Sequence, residues 1–223
     1  MDHTEWAKKN KKPIAREFIR NIEQQASETP AAIFTAGLPG AGKTEFTVEL
    51  IKGLDPKPLR IDMDAIAQLI EGYNPKVADK FRGGASIILS RIYDEVIKNK
   101  INFVFDGTFS SGGAIENLKR ASRHGYKVKV YYIHQIPEIA WQFTKDRELI
   151  ERRSIEITGF KQTYFKLQDN LRELCNNHKD VTISLVIKDS RNKIGKLTEN
   201  VDDQLFELLP DFLTDEQLNA AIL

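Results

Sequence analysis

Eight residues, Gly37-Leu38-Pro39-Gly40-Ala41-Gly42-Lys43-Thr44, set two glycines five apart and follow them at once with lysine and threonine. That order is the phosphate-loop pattern, and its chemistry needs those residue types. Gly37, Pro39, Gly40, Ala41 and Gly42 would wrap phosphate oxygens, the glycines letting the backbone curl so that N–H groups point inward. A helix beginning at the loop adds its positive end. Lys43 then reaches the β- and γ-phosphates as a point charge, and the Thr44 hydroxyl ligates Mg²⁺. The loop therefore predicts a site for a nucleoside triphosphate, ATP or GTP, with Mg²⁺.

In open parallel sheets such sites lie outside the carboxyl ends of the strands. Asp62 and Asp64 follow one strand-like run, and Asp106, with Thr108 just beyond, follows another. Asp62 and Asp64 face the same way if the backbone stays extended. Asp106 has the place of an acid that holds Mg²⁺ or its water shell. Two plainer roles compete: Asp64 immediately precedes a helix and could cap it, and Asp106-Gly107 could simply end a strand in a turn. Further on, Arg147, Arg152 and Arg153 cluster near an interrupted helix, where a mobile lid would bring positive charge over the γ-phosphate. Arg147 is the first choice, one turn before Glu151; the alternative is an exposed arginine on a charged face.

The elements that must position these groups are legible from periodicity. Strands are expected at 31–36, 59–62, 101–105, 127–133 and 181–187. Helices are expected from Pro13 to Gln25, after the loop to Gly53, over 65–70, from Lys76 to Lys98, over 114–124, from Pro137 past Arg147, and from Phe160 to Cys175 after a break near Thr158-Gly159. Gly83-Gly84 marks a kink or a close approach by another backbone. A turn at 189–193 is followed by a stretch read as helical. Alternation of strand and helix gives an α/β fold: a parallel five-stranded sheet with helices on both faces, phosphate-loop kinase-like. Residues 1–28 form a helical extension, 29–196 the kinase domain, and 197–223 an acidic helical extension.

Composition narrows the class. Lys and Arg total 33 against 32 Asp and Glu, so bulk charge gives no case for nucleic acid. The basic N-terminal run and the acidic stretch after Lys196 read as solvated faces. One cysteine, Cys175, excludes an internal disulfide and a cysteine zinc site. No apolar run approaches the ~20 residues of a membrane span, and the start lacks a signal-peptide core, so a cytoplasmic protein with no membrane partner is expected.

Gly37 to Thr44, Arg60-Ile61-Asp62-Met63-Asp64, Phe103-Val104-Phe105-Asp106-Gly107-Thr108, and Ile136-Pro137 leading to Asp146-Arg147 together resemble the zeta-toxin family. Those are phosphate-loop kinases of bacterial toxin–antitoxin systems, and the resemblance spans roughly residues 30 to 190. It implies phosphorylation of UDP-N-acetylglucosamine at its 3′-hydroxyl and an antitoxin protein as partner. It also implies that Lys43 and Thr44 hold ATP–Mg²⁺, that Asp64 is the base on the sugar hydroxyl, and that Arg147 with Arg152 or Arg153 contacts the phosphates. The chain departs from the family pattern on the acceptor side. Asp106 stands where glutamate is usual, Phe109-Ser110-Ser111 where an arginine is usual, and Asn74-Pro75 where His-Pro is usual. Two other readings stay open: a kinase of a different hydroxyl (antibiotic, nucleoside or nucleic-acid end), and an ATP-dependent switch with little transfer.

Overall fold

The computed structural model describes residues 2–20, 27–151, 155–202 and 204–223. The chain runs α1 (His3–Arg20), β1 (Ala31–Ala36), α2 (Lys43–Lys52), β2 (Leu59–Asp62), α3 (Met63–Ala67), a 3-10 turn (Pro75–Phe81) and α4 (Arg82–Lys98). It continues through β3 (Phe103–Asp106), α5 (Ala114–Arg123), β4 (Lys127–His134), α6 (Pro137–Glu151), α7 (Ile157–Asn177), β5 (Thr182–Lys188), β6 (Ile194–Thr198) and α8 (Asp215–Ile222). The strands form one sheet in the order β2-β3-β1-β4-β5-β6, and β1 to β5 are parallel.

The register shows which helix covers which face. Phe34 lies beside Phe105 and Val130, and Thr35 beside Tyr131. Side chains alternate along a strand, so Phe34 and Tyr131 point to opposite faces. Tyr93 of α4 packs edge-on against Phe103 at 5.5 Å, on the Phe34 face. Phe46 of α2 meets Tyr131 at 5.0 Å, on the other. Helices therefore cover both faces, as strands buried on both sides require. One continuous core runs from Ala7 and Ala15 of α1 to Leu218 and Ile222 of α8.

The sheet has six strands, not five, and the sixth is antiparallel. The turn at 189–193 closes a hairpin: the Asp189 carboxylate accepts the N–H groups of Arg191 (2.9 Å) and Lys193 (2.8 Å), and Asn192 takes φ 60°. The chain returns as β6 rather than as helix. Ile194 to Leu197 are exposed on this edge strand, so no buried alternation announced it.

Three helix expectations also change. Helix α1 begins at His3, ten residues before Pro13, because the Asp2 carboxylate accepts the N–H of Thr4 at 2.8 Å. Proline inside a helix costs ~3 kcal/mol, which packing of α1 on α4 outweighs. The expected end at Gln25 lies outside the described residues. The 76–98 helix is a 3-10 turn and then α4, with Val77 non-helical between two turns. Gly84 does mark a close approach: a Cβ there would stand 2.8 Å from the His3 carbonyl of α1. Finally, α7 passes unbroken through Gly159, since one glycine costs only ~1 kcal/mol against burial of Phe160, Tyr164, Leu167 and Leu171.

Candidate active site

The loop joins β1 to α2 at the carboxyl edge, where β3 and β4 flank β1 on either side. Gly37, Gly40 and Gly42 hold φ values of 149°, 78° and 77°, which side-chain-bearing residues rarely adopt. Packing adds a second demand. A Cβ on Gly37 would stand 2.4 Å from the Ile133 carbonyl, and one on Gly40 would stand 2.0 Å from the Ala140 carbonyl and 2.7 Å from Thr144 Oγ1. The loop thus needs glycine to let β4 and α6 close on it. Gly42 is the N-cap of α2 and no side chain caps that helix, so its first-turn N–H groups suit an anion.

Lys43 is half-buried and donates to the Leu38 carbonyl across the loop at 2.6 Å. Burial pushes its ammonium down to about 8; the Asp106 carboxylate opposes that shift, Arg147 adds to it, and Glu45 and Asp64 oppose it. Asp64, Asp106, Arg147 and Glu45 are thus within electrostatic range of Lys43. Thr144 seats α6 on Gly40, and Arg147 lies three residues further along the same helix, one turn away. Arg147 is exposed. Arg152 and Arg153 lie outside the described residues.

A polar network crosses the carboxyl ends of three strands. Asp106, only 7% exposed, accepts from Thr35 Oγ1 at 3.1 Å and from Arg60 Nε and Nη2 at 3.0 and 2.6 Å. Arg60 Nη2 also reaches Asp62 at 2.7 Å. Asp62 in turn accepts the N–H of Asp64 at 2.9 Å and is the N-cap of α3. Asp62 and Asp106 are paired across β2 and β3, which makes this bridging possible. Burial raises the Asp62 carboxyl above its usual range, against the pull of the Asp64 N–H and Arg60. The capping role belongs to Asp62, and Asp64 sits inside the first turn. Because the helix begins at Met63, the two acids do not alternate along an extended strand.

Beyond β3, Thr108 offers its carbonyl to the Gly37 N–H at 3.2 Å, and its hydroxyl pairs with Ser110 at 2.7 Å. Phe109, buried at φ 59°, turns the chain there, and Asn170 of α7 donates to its carbonyl at 2.7 Å. Among the described residues no cluster of three or more His, Cys, Asp or Glu stands ready to hold a metal. Mg²⁺ needs no such cluster, because it keeps several waters and takes one or two protein ligands beside phosphate oxygens. Thr44 fits such a ligand. Asp106, with both oxygens already bonded, fits an outer place better than a direct one. A shallow concavity of about 230 Å³, bordered by Arg172, Phe206 and Phe212, involves none of the loop residues. Shape alone does not locate the site.

The zeta-toxin family model matches residues 16–213. The chain belongs to the zeta-toxin family. A zeta-toxin-family fold of the phosphate-loop kinase type also accounts for the structural likenesses. A chain from the PezAT chromosomal toxin–antitoxin system of Streptococcus pneumoniae superposes with a TM-score of 0.73 at 19% identity, covering 99% of this chain and 96% of that one. The AvrRxo1-ORF1:-ORF2 complex gives 0.59 at 13% identity, covering 99% and 78%. The same pair with ATP gives 0.58 at 13% identity, covering 88% and 63%. An uncharacterized protein of Haemophilus influenzae is 34% identical over 102 residues, 46% of this chain and 69% of its own length.

For this zeta-toxin-family chain, sequence reasoning missed the contacts that Thr35, Arg60, Gln135, Lys188 and Asn192 make around the site. Asn192 Nδ2 donates to the Gly40 carbonyl at 3.1 Å, and Gln135 Nε2 donates to the Asp189 carbonyl at 2.8 Å, fastening the β5–β6 turn to the loop. One signal was available. Lys188, like Asp106, is a charged residue ending an apolar strand at the carboxyl edge.

Proposed function

We propose that this chain is an ATP-dependent phosphotransferase that passes a γ-phosphoryl group to a small-molecule hydroxyl, with UDP-N-acetylglucosamine or a related nucleotide sugar as acceptor. The observation that carries this reading is the loop itself, whose left-handed glycines end at the uncapped start of α2, with the Arg60–Asp62–Asp106 network at the same edge of the sheet. Bound ATP supplies the phosphoryl group, and Mg²⁺, when bound, would offset its charge. Lys43 holds the β- and γ-phosphates, Thr44 would ligate the cation, and Asp106, fixed by Thr35 and Arg60, would stand in its outer shell. Asp64 accepts the proton of the attacking hydroxyl, held in place through its backbone by Asp62. Arg147, with Arg153, meets charge that builds as the phosphoryl group separates. Asp62, Asp106 and Thr108 border the acceptor.

The ATP complex of AvrRxo1 supports the nucleotide choice, and the toxin–antitoxin setting of PezAT supports a protein antitoxin as partner. Mass spectrometry of a nucleotide-sugar panel incubated with ATP and protein tests the reaction. A phosphorylated nucleotide sugar is expected, lost in Lys43→Ala, which removes ~3 kcal/mol or more of transition-state stabilisation. Asp64→Asn should lose ~10²–10⁴-fold in rate while still binding ADP, since Asp62 keeps the cap. Consumption of ATP with no product on any nucleotide sugar would sink the acceptor class; equal turnover by Lys43→Ala would sink the kinase.

A further inference from the structure

Lys188 ends β5 at the same edge of the sheet as the loop, and only 7% of it is exposed. No hydrogen bond or ion pair joins its ammonium to any described residue. Glu45 and Asp189 act on it only from a distance, and burial, the larger effect, holds its ammonium below the usual lysine range. Its Cε lies 3.0 Å from the point where Gly42 would carry a Cβ. Gly42 is the uncapped start of the ten-residue helix α2. A buried cation without a partner is unfavourable in a folded chain, so its position beside an anion-ready helix start calls for an anionic ligand.

The surroundings hold it there. The hairpin after Lys188 is pinned by Asn192 to the Gly40 carbonyl and by Gln135 to the Asp189 carbonyl. Lys43, on the other side of Gly42, already serves the β/γ end of a triphosphate, while loop N–H groups cradle the α/β end.

We infer that Lys188 is a second phosphate-binding lysine, which contacts the α/β-phosphate end of a nucleoside di- or triphosphate seated on the loop. This rests on the nucleotide-site reading above and adds a residue to it. The ligand class is a polyphosphate, recognised by charge rather than by base. Lys188 then relieves in the complex a desolvation that the nucleotide-free fold carries. Stability and binding should therefore move in opposite directions when the charge is removed, which a purely structural lysine would not do.

The test uses the full chain, with ADP and inorganic pyrophosphate titrated calorimetrically against wild type, Lys188→Met and Lys188→Arg, beside the Tm of each nucleotide-free protein. Lys188→Met should raise the Tm and weaken both ligands by about 10- to 100-fold, the worth of one charge-assisted hydrogen bond. Lys188→Arg should retain most of the affinity. Unchanged affinity in Lys188→Met, or a Tm that falls, overturns the inference. So does a loss for ADP without a loss for pyrophosphate, which would place Lys188 on the sugar or base. Wild type that binds neither ligand overturns the nucleotide site itself, a result distinct from a failure confined to the variants.

Discussion

Arg60 shows how much one side chain can decide. It joins Asp62 and Asp106 at 2.7 and 2.6 Å, and Asp106 is otherwise a nearly buried carboxylate. Arg60→Met would leave that carboxylate without its cation, and breaking a buried pair from one side costs about 3–5 kcal/mol. Urea denaturation should show a loss of that size, and Arg60→Met with Asp106→Leu should recover much of it. An Arg60→Met protein as stable as wild type would mean that the pair contributes nothing. His134, at the end of β4, bonds to Tyr132 at 3.2 Å, and burial pushes its imidazole down to about 4. The folded state therefore prefers neutral imidazole, and the unfolded chain takes up the proton first as pH falls. The stability this group contributes is present above pH ~6.5 and is lost as the pH falls toward 4. His134→Phe should flatten the stability profile over that interval, by of order 1–2 kcal/mol at pH 5; parallel profiles for the two proteins would refute it.

At the scale of elements, two glycines report on two different contacts. Gly84 lets α1 cross α4, and a Cβ would stand 2.8 Å from the His3 carbonyl and 3.0 Å from Ile70 Cδ1. Gly84→Ala should lower stability by ~1–3 kcal/mol, the usual range for overpacking, yet leave ADP affinity alone because α1 is far in sequence and contact from the loop. Gly40 lets α6 seat on the loop, and α6 carries Arg147. Gly40→Ala meets both the left-handed φ of 78° and the Ala140 carbonyl, so it should displace α6 and cut turnover by tenfold or more. Thermal melts and steady-state rates on both variants separate the cases; equal effects of the two on turnover would show that α6 does not position Arg147. Helix α3 makes the complementary point: it is five residues long, and its place depends on Asp62, which Arg60 fixes.

Over the whole molecule, the proposed acceptor side is assembled from remote segments. The turn after β3 is tied to α7 through Asn170 and to the phosphate loop through Thr108. Ser110, paired with Thr108, offers a hydroxyl where the zeta-toxin resemblance implies an arginine. A charge-assisted hydrogen bond is roughly twice as strong as a neutral one. Ser110→Arg should therefore either speed phosphorylation of UDP-N-acetylglucosamine or block a different native acceptor; the same rate from both proteins across the panel would show that Ser110 does not face the acceptor. The sequence by itself determined what depends on neighbours along the chain. The glycine spacing, Lys43-Thr44, the apolar runs of β1, β3, β4 and β5, and the acids that end β2 and β3 were all legible, because local conformation and strand polarity follow from residues a few positions apart. Tertiary structure decided what depends on register. Thr35 meets Asp106 across 71 residues, Asn192 meets Gly40 across 152, and Lys188 lies against Gly42. It also decided that β6 returns antiparallel and that Asp62, not Asp64, caps α3. Those contacts exist only once parallel pairing aligns the strand ends, and no spacing within the sequence encodes which distant residues that alignment makes neighbours.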